Sequence, residues 1–328
     1  MTHYLRTRRF ILVTFINLIL LSSCTTIQKS KKNVDYFGVD VNSGRSDRLL
    51  PDIKNKNNQG SGVGPFPVAT NDSYLTKKSS KNKKVLSLSL GPGINRVLCH
   101  IPILKELEVQ GQQIHMVTGT GLGAVVASLY ASGVTPDKIE WIFYKFSKRV
   151  KGVKPYSKEW VSQGVKILLK SLKNKKIQNT KIRLILPFYD VAGKRVKYIT
   201  RGMIATILER EHLQLNKINQ SNSFAPFQKE VFKVERLKSL GADITVGIDV
   251  LGNNVDFETT DHYLTGVFGR ITGIISKEKE LLDFFIGMDP KAMPLDSTSQ
   301  LPGYLQKCMV KSREEVKKLK QWLEQSIE

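Results

Sequence analysis

The chain has 328 residues, 41% of them hydrophobic, and carries 51 Lys and Arg against 29 Asp and Glu, a formal net charge of +22. That length supports one large domain or two small ones with a substantial core, and the excess of positive charge favours polyanionic partners such as nucleic acid, anionic lipid or lipopolysaccharide. Three cysteines with no Cys/His metal spacing exclude a disulfide framework and a metal site, and no zinc-finger or RNA-binding aromatic motif supports nucleic acid.

The first segment stands apart in composition. Arg6, Arg8 and Arg9 precede the apolar run "ILVTFINLILL", which is too short to span a bilayer comfortably. Small residues follow, ending in Leu21-Ser22-Ser23-Cys24. Basic start, apolar middle and small residues read as a secretory signal. The Leu-Ser-Ser-Cys ending resembles a bacterial lipobox, which implies cleavage before Cys24 and acylation of that residue. Export then removes nucleic acid from the partners, and several acyl chains would anchor firmly where one binds only marginally. Thr25 and Thr26 follow, with no Asp resembling an inner-membrane retention signal. An outer-membrane lipid anchor is therefore expected, with the domain in the periplasm or at the cell surface. Loss of residues 1–23 removes three arginines and no acids and leaves a charge of +19.

Residues 25 to about 83 are rich in Lys, Asn, Ser, Gly and Asp and poor in hydrophobic periodicity. Burial there would not offset chain entropy, so a tether is expected. The folded part begins at "KVLSLSL", an apolar strand over Val85–Leu90. A helix ("RVLCHIPILKELEVQ"), a strand ("IHMV") and a helix ("GAVVASLYASG") follow. "TPDKIEWIFYKF" predicts a helix with Thr135 as N-cap and Pro136 at its first position. "EWVSQGVKILLKSL" predicts another, with Val161, Val165, Leu168 and Leu172 on one face. "KIRLILPFYDV" reads as a strand, "YITRGMIATILERE" as a helix and "ADITVGIDVLG" as a strand. Residues 252 to 300 are weakly patterned. "SREEVKKLKQWLEQSIE" predicts a closing amphipathic helix capped at Ser312, with Val316, Leu319, Trp322 and Leu323 packed on the domain. Strands alternating with helices mean an α/β domain with a mainly parallel sheet. Cys99 and Cys308 read as two inert thiols, one disulfide being the alternative in an oxidising compartment.

Two glycine clusters follow strands, "GPGINR" at 91–96 and "GTGLGA" at 119–124. The second fits a dinucleotide fingerprint, but the acidic residue needed at the end of the next strand is missing: Asp137 and Glu140 lie inside a helix. No nicotinamide, flavin or other cofactor is expected. The same residues fit a nucleophile elbow, G-x-S-x-G, with glycine for serine: Gly119, Thr120, Gly121, Leu122, Gly123.

Here the chain resembles the patatin-like phospholipase family over most of residues 84 to 251. "LSLGPGINRVLCHIPILKEL" is similar to its glycine-rich oxyanion loop and following helix, with Gly91, Pro92, Gly93 and Arg96 at matching positions. "IHMVTGTGLGAVVASLYASGVTPDKIE" is similar to its elbow, "LPFYDV" to the strand leading into its core, and "RLKSLGADITVGIDV" to the strand after its acidic motif. The resemblance implies a three-layer α/β fold and a Ser-Asp dyad that hydrolyses acyl esters. Gly121 stands where the serine would be, and the aspartate position falls near Ala225, where no Asp exists. Ile94 and Val97 replace loop glycines, and Pro92 has no N–H to offer an oxyanion. Neither Thr118, Thr120, Ser128 nor His100 is placed to substitute, His100 reading as a hydrogen-bonded structural histidine. Asp243 reads as a strand-edge residue and Asp249 as a loop or packing acid.

The expected organisation is a signal peptide over 1–23, an acylated basic tether over 24–83, a patatin-like domain over 84–300 and a C-terminal helix over 301–328. The expected function is a catalytically degenerate patatin-like lipoprotein that binds lipid or a protein partner. The alternatives are an acyl hydrolase with relocated groups and an envelope scaffold with a filled cleft. Residues 148–183 hold twelve Lys or Arg against Glu159. They are either a solvated face or a surface for anionic lipid or lipopolysaccharide.

Overall fold

A computed structural model of the chain describes residues 84–190, 194–213, 223–224, 229–258, 261–288 and 293–326. Cys24, the leader, the tether and Ala225 lie outside them.

The core of this α/β fold is a mixed, mostly parallel sheet whose strands run in the order β4-β3-β2-β1-β6-β7. These are β1 (Leu86–Leu90), β2 (Met116–Gly119), β3 (Arg183–Asp190), β4 (Arg195–Ile199), β6 (Ile244–Asp249) and β7 (Phe284–Gly287), with β5 (Ser223–Phe224) also paired to β3. β1 pairs in parallel with β2 and β6, β2 with β3, and β6 with β7. Among the described strands only β4 and β5 run antiparallel, both on β3. Every residue of β1, β2 and β6 is buried, whichever face it points to. Both faces of the sheet are therefore covered, which makes three layers. Ser87, buried in β1, survives there because its hydroxyl donates to the Ile244 carbonyl at 2.9 Å.

The helices follow from local chemistry. A 3₁₀ turn over Ile94–Cys99 leads into α1 (His100–Val109), and α2 (Leu122–Ala131) starts at the second glycine cluster. In α3 (Pro136–Arg149) Thr135 is the N-cap and Pro136 opens the first turn, while Ile139, Ile142, Phe143 and Phe146 form the buried stripe.

The stretch expected as one helix with Val161 on its buried face is broken. It comprises α4 (Lys158–Trp160), a π-helical turn (Val161–Val165), α5 (Lys166–Leu169) and a 3₁₀ turn (Lys170–Leu172). The wide turn shifts the register, so Trp160, Gly164, Val165, Leu168, Leu169 and Leu172 are buried and Val161 is only half-buried. Gly164 marks the cause: a Cβ there would meet Phe146 Cε2 at 2.5 Å and Val150 Cγ1 at 2.6 Å, so the chain comes down on α3 where only glycine fits.

Three more expectations change. Tyr198 and Ile199 belong to β4, and the helix after them, α6, spans Ile204–Glu211. Arg201 and Gly202 form the bend between the two. A short helix α7 (Val234–Ser239) precedes β6, and the weakly patterned region holds α8 (His262–Glu278) as well as β7. In the closing helix, α9 (Leu301–Gln325), the expected cap at Ser312 lies eleven residues inside the helix. Ser312 is buried inside it, its hydroxyl bonded to the Met309 carbonyl, and caps nothing. Pro302 in the first turn is the start signal in its place.

α9 packs on α1 and on the turn before it. Val316, Leu319 and Leu323 are buried, and half-buried Trp322 lies 5.7 Å from the Phe284 ring. Cys99 and Cys308 are joined as a disulfide with Cα atoms 5.4 Å apart, rather than standing as free thiols. The 209 residues between them conceal this proximity in the sequence. Among the described residues no helix is long and apolar enough to cross a membrane.

Candidate functional site

The two glycine clusters, 28 positions apart in sequence, meet at the carboxyl ends of β1 and β2. Gly119 ends β2, Gly121 is the N-cap of α2, and Leu122 begins that helix. At Gly121 φ is 56° and ψ is −131°, a backbone conformation that L side chains rarely adopt. It is the strained strand-to-helix corner that presents a nucleophile in hydrolase elbows. Here the corner carries no side chain, because the residue is Gly121.

The flanking glycines have steric reasons of their own. A Cβ on Gly119 would lie 2.6 Å from the Gly123 carbonyl carbon, and one on Gly123 would lie 2.6 Å from the Leu90 carbonyl oxygen. Real Cβ atoms do not approach so closely, so strand, corner and helix interlock only without side chains. Thr120 N–H completes the joint by donating to the Leu90 carbonyl at 3.1 Å.

Part of the first cluster is spent on structure. Gly91 N–H donates to the Ile248 carbonyl at 2.9 Å, and Pro92 has no N–H. His100 Nε2 donates to the Gly91 carbonyl at 2.9 Å. Burial depresses the His100 pKa to about 4, against the smaller opposing effect of that bond, so the ring is neutral at pH 7. Ile94 in the same loop holds φ at +43°. A β-branched residue is an outlier in that region, which favours glycine.

Arg96 was read from sequence as part of the oxyanion loop. Its side chain is buried and bonded to backbone carbonyls outside that loop. Nη1 donates to the carbonyls of Leu251 and Asn254, the latter at 2.6 Å, and Nε to the Met293 carbonyl at 2.7 Å, where Nη2 also bonds. Asn95 adds side-chain bonds to the Asp296 and Ser297 carbonyls at 3.1 and 2.9 Å, and its N–H donates to Leu295. Arg96 and Asn95 thus tie residues 251–254 and 293–297 to the turn after β1. Nothing in the sequence spacing signalled this clamp, because its acceptors are backbone carbonyls.

No substitute nucleophile faces solvent at this corner among the described residues. Thr118 Oγ1 donates to the Ile185 carbonyl at 2.8 Å, and Thr120 and Ser128 are fully buried. Asp249 accepts from the N–H groups of Leu251 and Gly252 at 2.9 and 3.2 Å, which fixes the turn after β6. Asp243 accepts from Val85 N–H at 2.7 Å at the other end of the sheet.

A second polar cluster, missed in the sequence, follows the undescribed stretch around Ala225. Glu278 accepts from the N–H groups of Val231 and Phe232, at 2.9 and 2.7 Å. Burial lowers the Lys233 pKa to about 8, with Glu230 and Glu278 opposing. Burial also lowers His212 to about 3, helped by the Lys233 charge. Among the described residues no group of three His, Cys, Asp or Glu could hold a metal ion.

A mostly parallel sheet between helical layers, with a glycine-lined strand–corner–helix at its carboxyl edge, defines an acyl-hydrolase-like α/β domain. The chain belongs to the patatin-like phospholipase family, whose model matches residues 88–261. It is similar to the lysophospholipase NTE1 of Candida albicans, 29% identical over 82 residues, which is 25% of this chain and 6% of that protein. Among solved structures it is similar to the type III effector ExoU, at 10% identity and a TM-score of 0.35 over 72% of this chain and 53% of that one. Full-length ExoU of Pseudomonas aeruginosa, in its complex with SpcU, gives 10% identity and a TM-score of 0.36 over 82% of this chain and 62% of that one. The chain therefore spans a small fraction of the lysophospholipase and little more than half of the effector.

Proposed function

We propose that this patatin-like domain binds acyl lipid at a bacterial envelope without hydrolysing it, held to the membrane through a lipid on Cys24. The observation that carries the reading is Gly121, which holds the elbow conformation with no side chain on it. Catalysis of this class needs a nucleophile, a base and free N–H donors at the oxyanion. Gly121 supplies no oxygen, Pro92 supplies no N–H, and Gly91 N–H is already bonded. The matched lysophospholipase acts by name on a single-chain phospholipid, which supports acyl lipid as the ligand class. The basic surface of residues 148–183 supports an acidic head group or a lipopolysaccharide-rich face.

The test is turnover of palmitoyl lysophospholipids and of fluorogenic acyl esters by the acylated full chain. The expected rate equals that of the Gly121→Ala variant and of buffer. A rate that clearly exceeds both, and is lost in a variant of any Ser, Thr or Asp of this chain, would instead establish a hydrolase with relocated groups.

A further inference from the structure

The broken helix and α6 enclose a groove of about 1050 Å³ that no family motif explains. It is as large as the largest ordinary ligand sites. Its inner wall is apolar, made by Tyr156, Val161, Val165, Leu169 and Ala205. Tyr156 is buried against Trp160 at 5.0 Å and holds φ at +61°, an uncommon conformation for a non-glycine residue. The π turn builds the wall. By adding a residue to the coil it swings Val161 out of the core and leaves it facing the groove.

The rim has the opposite character. Lys158, Lys166, Lys170 and Lys173 line it and are exposed. Glu209 is the one acid in the lining. No described carboxylate lies within 4.0 Å of any of the four lysine ammonium groups. Lys166 and Lys170 are four residues apart, so they project from one face of the helix. An apolar trough edged by unpaired cations complements one molecule in shape and in charge: an apolar chain with an anionic end.

We propose that this groove binds a single-chain anionic amphiphile, a fatty acid or a lysophospholipid with an acidic head group. The chain lies along Val161, Val165, Leu169 and Ala205, and the acidic head sits among Lys158, Lys166, Lys170 and Lys173. The proposal rests on the reading of the domain as a lipid binder and places the lipid in the groove rather than at Gly121.

Calorimetric titration of the full chain tests it with three probes below their micelle concentrations: myristate, myristoyl lysophosphatidylglycerol and myristoyl lysophosphatidylcholine. One equivalent of at least one acidic probe binds at least tenfold more tightly than the zwitterionic one. Its affinity rises about fourfold per added methylene. The acidic probe that binds identifies the source of the head group. Lys166→Glu with Lys170→Glu weakens it at least tenfold, and Thr206→Trp, which fills the trough from an exposed position of α6, abolishes it. Arg313→Glu with Lys317→Glu, the same charge change on exposed positions of α9, leaves it within twofold. Equal binding of all probes, no binding of either acidic probe, or a loss equal in the α9 control overturns the groove. Acidic-probe binding that survives both groove variants overturns the groove and leaves the lipid-binding reading standing. Hydrolysis of the bound lysophospholipid overturns that reading while groove dependence still holds.

Discussion

Replacing Gly121 by alanine places a Cβ on a residue whose φ is 56° and ψ −131°. Holding a side chain in so sparsely populated a region costs about 1–3 kcal/mol. Removing a glycine also narrows the unfolded ensemble, which returns about 0.4–1 kcal/mol. The net expectation is a loss of about 1–2 kcal/mol. Gly266→Ala provides the matched control: Gly266 lies inside α8, exposed, with no atom within 4 Å of its added Cβ. There alanine gains about 0.8–1 kcal/mol from helix propensity. The same chemical change therefore has opposite signs at two positions, separated by about 2–3 kcal/mol. Urea unfolding followed by circular dichroism measures both, with disulfides intact and equal slopes required of the two variants. A neutral or stabilising Gly121→Ala would refute the claim that the corner holds an elbow conformation.

Other consequences follow from the same contacts. The Cys99–Cys308 bridge closes a loop of about 210 residues, so Cys99→Ser with Cys308→Ser should cost about 3–5 kcal/mol in urea unfolding; unchanged midpoints would show that the bond contributes nothing. His100 and His212 have folded pKa values depressed to about 4 and about 3. The unfolded chain therefore binds more protons below pH 6.5, and stability falls as pH drops from 6.5 toward 4. At pH 5 the loss is about 2 kcal/mol for each histidine, and urea midpoints that stay flat between pH 7 and pH 5 would contradict the burial argument. Arg96→Met strands the carbonyls of Leu251, Asn254 and Met293 and should cost about 3 kcal/mol or more. Proteolysis should then quicken within 251–256 and 293–297, and cleavage elsewhere alone would refute the clamp.

The parallel core was readable because β1, β2 and β6 are short apolar runs and each is followed by a glycine or turn signal. The corner was readable because Gly119 and Gly123 cannot carry side chains where strand, loop and helix touch. α8 escaped because Gly266, Gly269 and Gly273 and its β-branched residues dilute helix propensity; its stability comes from burying Leu264, Phe268, Ile271 and Ile275. The end of β4, Tyr198 and Ile199, was absorbed into the expected helix because the strand is only five residues long, half-exposed along its length, and too short for its alternation to outweigh the helical pattern that follows. The π turn was invisible because a 3.6-residue period assumes no inserted residue, and Val161 fits that period only on paper. The Arg96 clamp and the cysteine pair depend on long-range contacts that no local spacing encodes.

Intact-mass analysis of the full chain after exposure to a fluorophosphonate tests the central claim most directly, because this reagent labels any serine or threonine activated for acyl transfer. The account predicts an unchanged mass at a reagent excess that fully labels an active serine hydrolase. A single stoichiometric phosphonate adduct on a side chain of this protein would contradict it.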